Sequence, residues 1–287
     1  MNLMKKLAFM SDLHIDGNNF GDLEIETLRQ VLRDHQVGHL HLAGDLSNQL
    51  YQISLPFLEE LKESFSISYN LGNHDMLGLS ESDIQAHGPQ IHTWHQHSFL
   101  AQAGWYDYSF SPHYSLEENQ RNKATYWFDR KLKRQGSDPE ICQKELDLMA
   151  KTLETNKEIR TVALHFVPHQ DFLINHPFFH RFNGFLGSQS FHQLFLDYGV
   201  KNVVFGHLHR RYHATTIDGV TYHTRPLGYK REWKMVTHFF HQYPQFQDLD
   251  TYRISKRYNS IKDLPEFQAF YQKHLYQEFT DALILLD

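Results

Sequence analysis

The chain has 287 residues, of which 40% are hydrophobic, and this is enough for one substantial core with or without an appended segment. A formal net charge of -6 gives no overall attraction to a polyanion, which counts against nucleic acid or an acidic membrane surface as a partner. The single cysteine, Cys142, excludes an internal disulfide, and no apolar run approaches the roughly 18 to 20 residues that span a bilayer. No secretory signal is visible over residues 1–9, so we expect a soluble, cytoplasmic protein.

The first 75 residues alternate between predicted strands and amphipathic helices. Short apolar runs predict buried strands, and leucines at helical spacing predict the helices between them. The predicted order is strand 6–10, helix 23–34, strand 39–43, helix 56–64 and strand 67–71. Each strand ends at a polar motif, and these motifs are Asp12-Leu13-His14, Gly44-Asp45 and Gly72-Asn73-His74-Asp75.

The alternation is lost over about 76–157, where the composition becomes aromatic and polar and predicts an insertion with a helix over 139–158. It then returns with strand 161–164 before His165, helix 191–198, and strand 203–205 before Gly206-His207-Leu208-His209. A terminal helix is predicted over 264–279. We therefore expect one domain over 1–243 that carries the insertion, and a C-terminal helical appendage over 244–287.

Alternating strands and helices predict an α/β core, in which ligands gather outside the carboxyl ends of the strands. All five polar motifs fall at such ends. The chain has 22 histidines, so an isolated histidine is weak evidence for a ligand, and the ordered series of motifs is the evidence for one site. Its candidate metal ligands are Asp12, His14, Asp45, Asn73, His165, His207 and His209.

The series D-x-H, G-D, G-N-H-D, a lone H and G-H-x-H resembles the calcineurin-like metallophosphoesterases, over about residues 1–229. The resemblance implies a four-layer αββα sandwich, with two mixed sheets flanked by helices, and a binuclear metal centre. The implied ligand sets are Asp12, His14 and His209 for one metal, and Asn73, His165 and His207 for the other, with Asp45 bridging.

The donor chemistry points to metal independently of the resemblance. A mixture of imidazoles, carboxylates and an amide suits manganese, iron or zinc, whereas an all-oxygen magnesium site would not need four histidines. A carboxylate such as Asp45 can hold two cations close together. Two ions about 3.5 to 4 Å apart can share a hydroxide that attacks phosphorus in line.

His74 follows the candidate ligand Asn73, so it projects near the metals without necessarily binding one. An imidazole titrates near neutral pH, which suits a general acid that protonates the leaving alkoxide. We expect Asp75 to orient His74, as the matching family position does. The alternative interpretation of Asn-His-Asp is an ordinary polar turn.

His165 departs from the family pattern, which usually shows a second histidine or a proline close behind. Here Phe166-Val167-Pro168-His169 follows, and His165 is favoured as the ligand because it stands where the strand ends. His169 is then a candidate to face the substrate. Candidate cations for the substrate's non-reacting oxygens, which could equally be solvated surface charges, are Arg210, Arg211, Arg225, Lys230 and Arg231.

Two further groups of residues have bland alternatives. The aromatic cluster over 105–110 could stack on a base or sugar, but such clusters more often form a core. The remaining histidines without motifs are expected to be surface or satisfied core residues, and they include His176, His180, His192 and His213.

The leading hypothesis is a hydrolase of phosphomonoesters or phosphodiesters that acts on a small molecule, possibly a nucleotide. A nuclease is the alternative, and the acidic balance and the absence of a basic tract count against it. A protein serine/threonine phosphatase is disfavoured because the expected Asp-Arg-Gly does not follow Gly44-Asp45. A non-catalytic binding module would be expected to lose ligands, whereas every expected ligand type is present.

Overall fold

The computed structural model describes residues 5–286, so the first four residues and the last residue of the predicted domains lie outside the described part of the chain. Its strands are β1 Lys6–Met10, β2 Val37–Ala43, β3 Ser66–Asn70, β4 Gln90–Trp94, β5 His97–Gln102, β6 Thr161–Leu164, β7 Asn202–Phe205, β8 Thr215–Ile217, β9 Val220–His223 and β10 Ile284–Leu286. Its α-helices are α1 Asp22–Asp34, α2 Leu55–Lys62, α3 Glu81–Ala86, α4 Leu116–Tyr126, α5 Asp138–Thr155, α6 Ser190–Asp197, α7 Lys234–Gln242, α8 Ile254–Ile261 and α9 Pro265–Ala282.

The strands form two mixed sheets. The first has the order β10-β1-β2-β3, in which β1, β2 and β3 are parallel and β10 is antiparallel. The second has the order β4-β5-β6-β7-β9-β8, with a parallel centre and antiparallel strands at both edges. Helices flank both sheets, so the expected α/β sandwich is confirmed. Over residues 5–286, no helix combines the length and the apolar character needed to cross a membrane.

Strand β2 shows how the sequence divides its two faces. Leu40 and Leu42 belong to the core that packs the first sheet against its helices. On the opposite face, His39 and His41 are buried and contact Phe99 of the second sheet. Their ring nitrogens lie 2.7 to 2.9 Å from polar side chains of β3. These two histidines are therefore satisfied core residues, which is the usual explanation for histidines outside a motif.

The segment expected to be an insertion, about 76–157, is partly built into the second sheet. Strand β5 pairs in parallel with β6, with Leu100 opposite Val162, and β4 pairs with β5. The expectation is wrong for these strands because β4 and β5 are rich in histidine, serine and glutamine, which conceals the apolar alternation. Trp105 and Tyr106 are fully buried, so the aromatic cluster belongs to the core.

The C-terminal region is not an appendage. Strand β10 completes the first sheet beside β1, with Ile284 opposite Phe9. Helix α9 packs against α1 and α7, and the buried Phe279 contacts Phe20 and Trp233. The sequence did not reveal this because β10 has only three residues, too few for a strand pattern. Residues 264–286 are therefore part of the main fold.

Replacement of Phe279 with alanine tests this integration. Phe279 is fully buried, so its truncation should lower the free energy of unfolding by about 3 to 5 kcal/mol. The control is Phe178→Ala, because the Phe178 side chain is 71% exposed and its loss should have little effect. Urea denaturation followed by circular dichroism measures both. Equal stability of the two variants would contradict an integral role for α9.

Candidate metal centre

The candidate ligands come together because the carboxyl ends of parallel strands lie on one edge of each sheet. Asp12 and His14 follow β1, Asp45 follows β2, and Asn73 follows β3. The second sheet contributes three histidines from the ends of β6 and β7, namely His165, His207 and His209. All seven residues that the sequence singled out as metal ligands therefore converge at one place between the two sheets.

The first group of ligand atoms belongs to Asp12, His14, Asp45 and His209, which all lie within 4.8 Å of one another. Nε2 of His14 lies 3.0 Å from Nε2 of His209 and 3.7 Å from a carboxylate oxygen of Asp45. Nε2 of His209 lies 3.3 Å from Asp12 Oδ1. Nitrogen and carboxylate donors that point at one another in this way fit a shared transition-metal cation.

The second group belongs to Asp45, His165 and His207, again within 4.8 Å. His165 Nε2 lies 3.4 Å from Asp45 Oδ1 and 3.2 Å from Asn73 Oδ1. The two oxygens of Asp45 therefore face different groups, since Oδ2 is directed at His14 and Oδ1 at His165. One carboxylate is placed to serve two cations.

Left-handed backbone conformations are concentrated at this site. Positive φ angles occur at five of the candidate ligands, which are Asp12, His14, Asp45, His207 and His209. Such conformations are uncommon for residues other than glycine and cost on the order of 1 kcal/mol or more each. They turn the chain sharply after each strand, which aims consecutive motif residues into the same space.

The glycines of the motifs allow a close approach. A Cβ atom on Gly72 would collide with the carboxylate of Asp45, and one on Gly206 would collide with the carboxylate of Asp12. The requirement is steric, because the two bridging loops pack directly against these carboxylates. The G-N-H-D and G-H-x-H patterns therefore need glycine at their first positions.

The ionisation of the site suits cation binding. Burial alone would raise the pKa of Asp45, but His165 and other neighbouring imidazoles outweigh burial and hold this pKa well below its usual range. Burial lowers the pKa of His207 to about 3, so its imidazole is neutral and its lone pair is available. Burial also lowers the pKa of His14. Charged carboxylates beside neutral imidazoles form the donor set that a metal requires.

Two supporting carboxylates orient candidate ligands. Asp129 Oδ1 accepts a 2.7 Å hydrogen bond from the amide of Asn73, which leaves Asn73 Oδ1 facing the second group. Glu232 Oε2 lies 2.8 Å from Nδ1 of His209 and fixes the direction of its Nε2. Sequence reasoning missed both residues because neither belongs to a motif, and only tertiary packing brings them to the site.

His74 lies beside the candidate ligands with one ring nitrogen engaged. Its Nδ1 lies 2.9 Å from Oδ1 of Asn48, whose amide nitrogen donates to Asp16. Nδ1 of His74 is therefore the donor, and Nε2 is the nitrogen that can exchange a proton with a ligand. The ring stacks on Phe128 at 3.8 Å, which limits its rotation.

Asp75 does not orient His74, in contrast to the expectation. Its carboxylate accepts hydrogen bonds from the backbone N–H groups of Asp45, Leu46, Ser47 and Gly72. Asp75 therefore fixes the loop after β2 and thereby the position of Asp45. The orienting contact to His74 comes from Asn48.

A cavity of about 440 Å³ opens at the candidate ligands. Asp45, Asn73, His74, His207 and His209 form its polar side. Its other walls are mainly aromatic and aliphatic, and they consist of Tyr126, Trp127, Phe128, Ile174, Leu186 and Tyr229. Within residues 5–286, no lysine or arginine lines this cavity.

The residues predicted to contact substrate lie elsewhere. His169 is buried against His192 and Tyr222, away from the cavity. Arg210 is exposed, and Arg225 points to the backbone of Leu283. These three predictions are not supported, because chain proximity to a motif does not determine side-chain direction.

Lys230 lies close to the site without lining its cavity. Its amine forms a 2.6 Å ion pair with Glu24 and lines a separate cavity, which shares Tyr229 with the first. Sequence position alone could not show on which side of Tyr229 this amine lies.

The fold and the converging Asp, His and Asn side chains define a metallophosphoesterase site, and comparison with known proteins agrees. The calcineurin-like phosphoesterase family model matches residues 5–211, which is most of the chain. The chain therefore belongs to the calcineurin-like phosphoesterase family. No curated protein sequence matches it.

Solved structures show the same fold at low sequence identity. A phosphopantetheinyl hydrolase from Mycobacterium tuberculosis is similar with a TM-score of 0.61 and 18% identity, over 82% of this chain and 93% of that chain. A dimetal phosphatase from Danio rerio has a TM-score of 0.46 and 14% identity, over 77% and 87% of the two chains. A purple acid phosphatase from yellow lupin seeds has 0.44 and 13%, over 77% and 43%.

Replacement of Asp129 tests the support of Asn73. With alanine at position 129, the Asn73 amide loses its acceptor and can rotate, so metal affinity at the second group should fall by about 10 to 100-fold. Asp129→Asn is the matched control, since its carbonyl oxygen can still accept the hydrogen bond. Manganese titration by calorimetry measures both variants. An unchanged affinity in Asp129→Ala would show that this hydrogen bond does not position Asn73.

Proposed function

We propose that this protein hydrolyses a phosphoester bond of a small molecule with the help of two metal ions. The observation that carries the proposal is the orientation of Asp45, whose two oxygens face two separate groups of ligand atoms. The first ion would be held by Asp12, His14 and His209, the second by Asn73, His165 and His207, with Asp45 shared. Manganese, iron or zinc suits this mixture of nitrogen and oxygen donors.

The protein's own residues then have distinct roles. Bound ions would supply a hydroxide near neutral pH and offset the charge of the phosphoryl oxygens. Nε2 of His74 would give its proton to the oxygen of the leaving group, and Asn48 holds the ring in the required orientation. Trp127 and Phe128 would contact the organic part of the substrate and exclude water beside it.

The cavity supports a small substrate. Its volume of about 440 Å³ lies at the lower end of the roughly 300 to 1,000 Å³ that is usual for small-molecule sites. Its uncharged aromatic walls suit an organic alcohol or a nucleoside more than a chain of phosphates, since they offer no basic side chain to further phosphate groups. Monoesters and diesters are both compatible with these walls.

A nuclease is the second candidate, and one observation favours it. Residues 121–134 contain six lysines or arginines and one acidic residue, so a basic tract exists that the overall charge of -6 conceals. Arg121, Arg130, Lys131 and Lys133 are exposed, and among residues 5–286 no carboxylate lies within 4.0 Å of their charged groups. This tract adjoins the cavity at Phe128 and could contact a polyanion or attract small anionic substrates.

A substrate panel tests the proposed function. The manganese-loaded protein should hydrolyse p-nitrophenyl phosphate or bis-p-nitrophenyl phosphate, and removal of metal with a chelator should abolish the activity until manganese is returned. A preference of about tenfold or more, which corresponds to roughly 1.4 kcal/mol, would decide between monoesterase and diesterase. Nucleotides and a phosphopantetheinyl ester belong in the panel, the latter because of the Mycobacterium tuberculosis hydrolase of similar fold.

The alternatives give different results in the same assay. A nuclease should cleave a single-stranded oligonucleotide, with rates that fall steeply with salt and in the double variant Lys131→Gln, Lys133→Gln. A non-catalytic module should hydrolyse none of these substrates and should hold less than one transition metal per chain under manganese supplementation.

Replacement of His74 with asparagine tests its role as the general acid. Asparagine fits the same space but cannot deliver a proton at neutral pH, so turnover should fall by about 10² to 10⁴-fold for a substrate with a poorly leaving alcohol. Esters of p-nitrophenol should be affected less, because p-nitrophenolate leaves without protonation. Metal content, measured by mass spectrometry, should stay as in the wild type. Loss of metal instead would make His74 a ligand.

A further inference from the structure

A second cavity of about 340 Å³ lies beside the active-site cavity, and the two share Tyr229 as a wall. Within residues 5–286, neither a carboxylate nor an aliphatic side chain lines this second cavity. Its lining instead offers hydrogen-bond donors and positive charge, chiefly from Asn19, Lys230, Arg231, Ser255, Asn259 and Lys262. Donors of these types in one concave surface are typical of sites for phosphate, sulfate or carboxylate groups.

The positive charge of this cavity is only partly offset by neighbouring acids. Lys230 is paired with Glu24 at 2.6 Å. Arg231 lies 3.9 Å from Glu232, a long contact, and the opposite oxygen of Glu232 faces His209. In the described part of the chain, no carboxylate lies within 4.0 Å of the amine of Lys262. Two cations therefore remain available to an anionic ligand.

One aromatic ring separates this charge from the metal centre. The Tyr229 ring stacks on His14 at 4.2 Å, and the guanidinium of Arg231 lies 4.0 Å from the same ring centroid. His14 and Arg231 must lie on opposite faces, since both groups cannot occupy the same space. A ligand bound to the metals through one group could thus pass the edge of Tyr229 and place a second group near Arg231.

This second cavity lies mostly outside the part of the chain that the family shares. The family model ends at residue 211, whereas Lys230, Arg231 and the residues of α8 follow it. Helix α8 supplies Ser255 and Asn259, and Lys262 follows its end. The region after the family domain therefore builds a cationic wall next to the metal centre.

We propose that this cavity binds a second anionic group of the substrate whose phosphoester reacts at the metal centre. The inference rests on the proposed function and specifies its substrate class, an organic phosphoester that carries a further phosphate, sulfate or carboxylate group. Arg231 and Lys262 hold that group, and the ring of Tyr229 lies against the part of the substrate between its two ends.

Phosphonates test this inference because their carbon–phosphorus bond is not hydrolysed. Alkane diphosphonates of increasing chain length are compared with alkyl monophosphonates, by calorimetry on the manganese-loaded protein and as inhibitors of p-nitrophenyl phosphate hydrolysis. At the best chain length, a diphosphonate should bind about tenfold or more tightly than the monophosphonate, as expected for a hydrogen-bonded charge pair.

Two variants and one control decide where the second group binds. Lys262→Gln removes a cation, and Ser255→Glu adds a negative charge at an exposed position of the lining. Both should reduce the preference for the diphosphonate to about threefold or less. Lys256→Gln is the control, because Lys256 lies on the same helix, is exposed and does not line the cavity.

The inference is contradicted if the wild type shows no preference for the diphosphonate, or if both variants keep it. It is also contradicted if inorganic phosphate alone loses affinity in Lys262→Gln while diphosphonates show no preference, since the cavity would then hold a free anion. Failure of the proposed function gives a different result, which is no ester hydrolysis. The calorimetric preference still reports on the cavity in that case.

Discussion

Asp45 is the residue on which the arrangement of the site depends. It follows β2 of the first sheet, and its two oxygens face His14 of the same sheet and His165 of the other. Each candidate ligand group combines residues from both sheets, because His209 completes the first and His207 the second. Two buried cations would therefore hold the sheets together at this edge, and without them a concentration of buried polar groups would have to be stabilised by packing elsewhere.

That packing is visible in how the loops around the site are fixed. The Asp75 carboxylate accepts four backbone N–H groups, so the turn that carries Asp45 cannot move without losing several hydrogen bonds. Backbone N–H of His207 donates to Asp12, which ties the loop after β7 to the loop after β1. These contacts offset the cost of the left-handed conformations at the site. The rigidity of the site thus comes from hydrogen bonds around the ligands and not from the ligands alone.

The difference between what the sequence predicted and what it missed follows from the range of the interactions involved. Asp12, His14 and the G-H-x-H histidines were found because strand ends and local motifs determine their positions. Asp129, Glu232 and Asn48 were missed because each acts through a partner that is distant along the chain, with no pattern of its own. The appendage predicted over 244–287 was wrong for a related reason, since a three-residue strand shows its role only by pairing with β1.

The integration of the C-terminal region bears on how this chain could select a substrate. Because α9 and β10 belong to the core, the segment that precedes them is anchored at its end and holds α8 in a fixed position beside Tyr229. A residue next to the metal centre, Tyr229, is thus contacted on one face by His14 of the family motif and on the other by Arg231, which lies beyond the matched domain. Chemistry common to the family and selectivity particular to this chain would then meet at a single ring. A change in the C-terminal region could alter which substrates bind without touching any candidate metal ligand.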